Sequence, residues 1–169
     1  MFSNVMINED EMAIKEGPQY LLFFLQSHLF ALKAEQIVEI VELPEITKVP
    51  WMKECVKGVC NIRGSVVGVI DPAKCLMDKD FIQSQKSSLV IVHVEHQGRK
   101  QKVGMIVDEV FEIEVFEQSE LQKVPEYGLP VDFTCIESMV PYQDDFIPML
   151  SIERVIDIES LSKRVDHEN

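Results

Sequence analysis

The 169-residue chain is short of basic charge, short of glycine and without a long apolar run, and each shortage argues against a class of function. Lysine and arginine together number 16 against 29 aspartates and glutamates, a net charge of −13. Such a chain repels a phosphate backbone or an anionic bilayer, which argues against nucleic acid as a partner and against direct membrane insertion. Most of the excess acid is read as a solubilising surface. The longest uncharged stretch, Gly17 to Leu32, contains Gln19, Gln26, Ser27 and His28 and falls short of the ~20 apolar residues that a spanning helix needs. Met1 to Glu16 mixes apolar residues with acids and lacks the basic start and apolar centre of a secretory leader, which predicts a cytoplasmic protein. Its cysteines, Cys55, Cys60, Cys75 and Cys135, are then expected to be reduced thiols.

Constellations for chemistry are equally sparse. Cys55 and Cys60 are followed by no second Cys/His pair at zinc-finger spacing, and His93 and His96 would face opposite sides of a continuing strand, so no metal is expected. No base and orienting acid stand beside a particular thiol, so catalytic residues are not assigned. Arg63-Gly64-Ser65 lacks the repeated glycines and following helix that cradle a phosphate, which disfavours a nucleotide cofactor. A thiol- or metal-dependent enzyme using Cys55, Cys60 or His93 stays as a distant alternative.

What the chain does have is Val56 to Asp71, two apolar runs about Arg63-Gly64. Gly64 can take the positive φ of a tight reversal and the flanking β-branched residues suit a pleated surface, so a β-hairpin is predicted. The uncharged run Val66 to Ile70 predicts a strand with both faces covered, as in a small closed barrel. Arg63 either snorkels into water from the turn or pairs with an acid elsewhere.

Residues 1–18, ending in Gly17-Pro18, read as a loose arm. Tyr20 to Leu25 and Leu29 to Leu32 predict a first hairpin, and the β-branched density of Ala34 to Leu43 favours a strand after a short turn. Trp51 reads as a plug in a barrel end, with an exposed docking residue as the alternative. Asp71-Pro72 has the form of a helix cap followed by proline at the first helical position, giving a short turn through Leu76. Asp78 to Ser87 is the expected main surface loop. Leu89 to Val94 and Lys102 to Val107 form another hairpin, and Phe111 to Val115 alternates as a strand with a buried and a wet face. Phe133 to Val140 and Phe146 to Leu150 supply a further antiparallel pair. Ser151 caps a short C-terminal helix with Ile152, Val155 and Ile156 on one side, and a polar tail begins at Glu159. Many short strands with turns between them predict an all-β fold of barrels.

The order of these pieces resembles the chemotaxis coupling protein family, the CheW-like domains. The resemblance rests on Phe23-Phe24-Leu25, Phe30-Ala31-Leu32, Ile37-Val38-Glu39-Ile40, Lys57-Gly58-Val59-Cys60-Asn61-Ile62-Arg63-Gly64, Val69-Ile70-Asp71, Val103 to Val110 and Pro148 to Glu153, over residues 19 to 158. It implies two SH3-like barrel subdomains packed together within 19–158, the chain leaving the first and returning to it. It also implies an ion pair between Glu39 and Arg63, which if partly buried holds geometry more than it adds stability. The implied role is a non-enzymatic signalling adaptor that joins the signalling tips of methyl-accepting chemoreceptors to the regulatory domain of the CheA histidine kinase, recruited to membrane-associated receptor arrays. A groove near Ile37, Val38 and Val107 would face the receptor, with Gly58 and the Asn61-Ile62-Arg63-Gly64 turn near the partner surfaces. Gly68 stands where the family usually has proline, and Pro72, where leucine is common, is expected to shorten the strand before it. A specialised paralogue serving another array or a pilus-linked system is the alternative.

Overall fold

The computed structural model describes residues 17–125 and 133–157. Residues 1–16 of the expected arm and the tail from Glu159 lie outside them. The strands are β1 (Gln19–Leu25), β2 (His28–Lys33), β3 (Ile37–Glu42), β4 (Val56–Ile62), β5 (Ser65–Ile70), β6 (Ser88–His96), β7 (Arg99–Val107), β8 (Glu109–Val115), β9 (Ile136–Tyr142) and β10 (Asp145–Leu150). A helix, α1 (Pro72–Met77), follows β5, and a closing helix over residues 152–157 follows β10. This is the expected all-β, SH3-like architecture with only short helices.

The strands form two five-stranded sheets, ordered β8-β1-β2-β10-β9 and β3-β6-β7-β5-β4. Both obey one plan. The chain runs hairpin, single strand, hairpin and helix, then runs the same series again. Each half gives its single strand to the opening hairpin of the other: β3 pairs with β6, and β8 with β1. Each sheet therefore contains both halves, and neither can be completed by one half alone.

Alternation of side chains distributes the apolar residues among three cores. Leu21, Phe23 and Leu25 of β1 meet Val90, Val92 and Val94 of β6 in a central core between the sheets, which α1 and the closing helix also enter through Leu76, Ile152 and Val155. Tyr20 and Leu22 turn the other way, onto Phe116, Val140 and Met149 inside the first barrel. Leu89 and Ile91 likewise enter the second barrel with Cys60, Val67 and Val69. Burial on both faces explains the unbroken apolar runs of β1 and β6. Removing a side chain such as Phe23 or Leu89 from water contributes roughly 1.5–3 kcal/mol.

The turns follow local chemistry. Gln26-Ser27, Arg63-Gly64 and Gln97-Gly98 all place both residues at positive φ, the two-residue hairpin geometry that matches strand twist. The side chain of Asp71 accepts the Lys74 N–H at the start of α1, and Ser151 Oγ accepts the Arg154 N–H in the closing helix. Pro72 opens α1 without shortening β5, which runs to Ile70.

Several expectations need correction. Trp51 plugs nothing: its surface is 87% exposed. Nor is the Val66–Ile70 run covered on both faces, because Val66 is 76% exposed and Gly68 is exposed. The β4–β5 hairpin outruns the central core, so Val67 and Val69 fill the second barrel while their neighbours meet solvent. On β8 only Ile113 is fully buried, and Phe111, 45% exposed, rests edge-on against Phe24. Pro18 already belongs to the fold, its carbonyl accepting the Phe116 N–H. Phe133–Cys135 is a 3-10 turn, and the strand begins at Ile136.

Candidate functional site

The β4–β5 turn and the β3 strand sit at opposite ends of the second sheet's strand order, yet their side chains meet. Arg63 Nη2 lies 2.9 Å from Glu39 Oε2. The pairing register puts Glu39 opposite Ile91, on the face that looks into the second barrel. Its side chain is only 15% exposed, whereas that of Arg63 is 81% exposed. The arginine thus reaches from the turn over the barrel mouth and keeps most of its surface in water. This resolves the open choice: Arg63 is both a turn residue and an ion-pair partner.

The turn is built to hold it there. Arg63 has φ +52° and Gly64 φ +86°, and Asn61 Oδ1 accepts the Gly64 N–H at 2.8 Å. An arginine in the left-handed region is unfavourable by itself, so the Asn61 hydrogen bond and the Glu39 carboxylate together select this conformation. Ile62 packs with Val38 against the second barrel's interior. Val59, Asn61, Val66 and Gly68 alternate outward, with cross-strand partners Val59–Gly68 and Asn61–Val66, and Val66 stands largely in solvent.

Gly58 serves the backbone. It is buried at φ +140°, and a Cβ there would stand 2.0 Å from the Thr47 carbonyl oxygen. Thr47 exchanges two hydrogen bonds with Val59, of 2.8 and 2.9 Å, so Gly58 is what lets the preceding loop close on β4.

Of the three residues expected near a receptor-side groove, two are buried and Val38 is half-buried. Ile37 and Val107 are buried in the central core, where their cross-strand partners are Val92, at the middle of β6, and Ser88, at its start. Val38 points instead to the second barrel. Of the site residues read from the sequence, the structure brings together Glu39, Asn61, Arg63 and Gly64, with Val38 and Ile62 beneath.

Polar groups beside the hairpin carry no comparable motif in the sequence. Asp71 is buried, with Lys57 Nζ 3.8 Å from its Oδ2. Burial pushes its carboxyl pKa up, against the pull of Lys57 and of the Lys74 and Ala73 N–H groups, with Asp108 adding a smaller push upward. Lys74 lies within 3.0 to 3.3 Å of Asp80, Asp78 and Glu54, and these carboxylates raise its pKa well above the ordinary lysine range. It lowers that of Asp80 in return. The i,i+4 spacing of Lys74 and Asp78 is the one sequence signal of this cluster.

All four cysteines are free thiols, and burial raises the pKa of Cys60. Among the described residues no three His, Cys, Asp or Glu side chains gather as metal ligands, and no helix is long and apolar enough to cross a membrane.

This fold has known counterparts. The model of the CheW-like domain family matches residues 19–160. The chemotaxis protein CheW of Bacillus subtilis is 28% identical over 153 residues, 90% of this chain and 95% of that protein. Protein PilI of Pseudomonas aeruginosa is 30% identical over 95 residues, 56% of this chain and 51% of its own. Among solved structures, the scaffolding protein TtCheW from Thermoanaerobacter tengcongensis superposes with a TM-score of 0.74 at 27% identity, covering 83% of this chain and 88% of that one. With a match spanning every described strand, the chain belongs to the CheW-like domain family.

Proposed function

We propose that this chain is a non-enzymatic adaptor that holds the CheA histidine kinase and the cytoplasmic tips of chemoreceptors in one array, with the outer face of the β4–β5 hairpin turned to the kinase. The Glu39–Arg63 pair carries the reading. An arginine braced by a partly buried carboxylate, with its outer surface left in water, fixes the angle of an otherwise exposed hairpin and offers a cation beside the apolar Val66. Family membership supports the scaffold role. Binding two partners at once lets receptor states that differ in contact energy shift kinase activity.

The test is cosedimentation with the kinase regulatory domain and a receptor signalling-tip fragment, with Arg63→Glu in parallel and circular dichroism of both proteins. Retention of the wild type and loss of the folded variant is the expected result. Binding of neither partner would sink the coupling role. The likeness to PilI favours a second reading, an adaptor in a pilus-linked array. Preference for the kinase and receptor of that array over chemotaxis ones would select it.

A further inference from the structure

Trp51 is the chain's single tryptophan and, among the described residues, the most exposed of the large apolar side chains. Its backbone adds an independent oddity: φ is +68°, in the left-handed region that a bulky residue avoids. The order Pro50-Trp51 is that of a tight turn whose third position normally holds glycine or asparagine. A tryptophan there gains neither burial nor backbone comfort within this chain. Strain and exposure coinciding at one residue point to a use outside it.

The turn is not a loose tip. On one side Thr47 is hydrogen-bonded to Val59, and on the other the Val56 N–H donates to the Lys53 carbonyl at 2.9 Å. Ile46 anchors the loop in the second barrel's interior. The indole is therefore carried on a frame fixed to β4, the strand that leads into the Arg63 turn. Lys48 and Lys53 flank it in a chain of net charge −13, while the nearest acid that follows, Glu54, has its carboxylate 3.3 Å from Lys74 Nζ. Along the loop these two lysines balance Glu45 and Glu54, so the charge around the indole is less acidic than that of the chain as a whole.

We propose that Trp51 is a partner-contact residue: its indole enters an apolar slot edged by carboxylates on the same protein that meets the β4–β5 hairpin. This rests on the adaptor reading and names a contact within it. Tryptophan is enriched among the few residues that dominate interface energetics, seated in desolvated pockets, and its presentation on a fixed turn lowers the ordering cost of binding.

The single tryptophan makes the test specific. The full-length chain is labelled with 5-fluorotryptophan, so one fluorine resonance reports on Trp51, and is titrated with the cognate full-length CheA kinase. The expected result is a shifted or broadened resonance on binding, with at least about tenfold weaker binding for Trp51→Gly. Glycine relieves the positive φ, so that variant should be at least as stable as the wild type, which separates lost contact from lost fold. Should the glycine variant be less stable, Trp51→Asn, which also tolerates positive φ, repeats the comparison. Lys48→Glu should weaken binding more at low salt than at high salt. Cosedimentation of the kinase with an unmoved resonance and an unaffected Trp51→Gly variant would overturn this contact and leave the adaptor reading standing. A resonance that responds to phosphatidylglycerol vesicles but not to the kinase would overturn it in favour of a lipid surface. Failure of the wild type to bind the kinase at all would remove both.

Discussion

The two barrels share a strand plan but close it with different chemistry. In the second, the edge glutamate Glu39 meets an arginine from a hairpin turn that stands mostly in water. In the first, β8 and β9 are the edges, and Glu112 on β8 accepts a hydrogen bond from the Tyr142 hydroxyl at the end of β9. The following hairpins match as well: Arg63 and Gln143 both have positive φ, Val66 and Phe146 are both exposed, and Asp71 and Ser151 both precede a helix. Equal architecture with unequal closure separates what the fold needs from what a partner could use. Tyrosine to glutamate joins two edges with one charge. The ion pair joins two edges and leaves a cation facing outward.

The largest expected effect tests what the barrels share. Phe23→Ala empties part of the central core and should cost about 3–5 kcal/mol in denaturant unfolding. Because each sheet contains both halves of the chain, probes placed in either barrel should report one coincident transition. Two separate transitions would break the picture of interlocked halves.

Next comes a contrast within one hairpin. Gly58→Ala forces a Cβ against the Thr47 carbonyl at a left-handed φ and should cost roughly 2 kcal/mol or more. Gly68→Ala on β5 meets nothing within 4 Å and should be neutral or stabilising by up to about 1 kcal/mol. Thermal melts of the two variants measure the difference.

The closures themselves rank lower. Tyr142→Phe leaves the Glu112 carboxylate without its hydroxyl and should cost about 1–2 kcal/mol. Arg63→Ala should cost under about 1 kcal/mol, since its side chain is mostly solvated, while removing the outward-facing cation. An equal cost for both would mean that the ion pair is as structural as the tyrosine bond.

The smallest contrast lies between the helix caps. The carboxyl of buried Asp71 has its pKa raised in the folded state, so the native protein holds that proton more tightly than the unfolded chain. Its contribution to stability is present below the unfolded carboxylate pKa and is lost as pH rises through the folded one. Asp71→Asn keeps a cap acceptor and should flatten this part of the stability profile, whereas Ser151→Ala should lower stability equally at every pH. Denaturant midpoints across the carboxylate range read both.

Local signals are legible in the chain itself. The Arg63-Gly64 turn and the Asp71-Pro72 cap act over a few residues, and the fold carries both at the expected position. The barrel-plug reading of Trp51 fails because large apolar side chains are usually buried, and no local pattern tells a core tryptophan from a presented one. Which way Ile37, Val38 and Val107 face is illegible for a related reason. A β-strand offers alternate residues to opposite faces, and which face is outside depends on what packs there.

The sequence by itself determined the strands, their turns, the helix caps and, through likeness of motif order, the family. Only the tertiary structure decided that β3 leaves its own half to join β6, that Glu39 faces a barrel mouth, and that Arg63 arrives above it. Strand and turn preferences arise between neighbours in the chain, where a few residues suffice to set φ and ψ. Pairing Ile37 with Val92 is decided by burial of both faces of two sheets at once, a condition that no short stretch of residues contains.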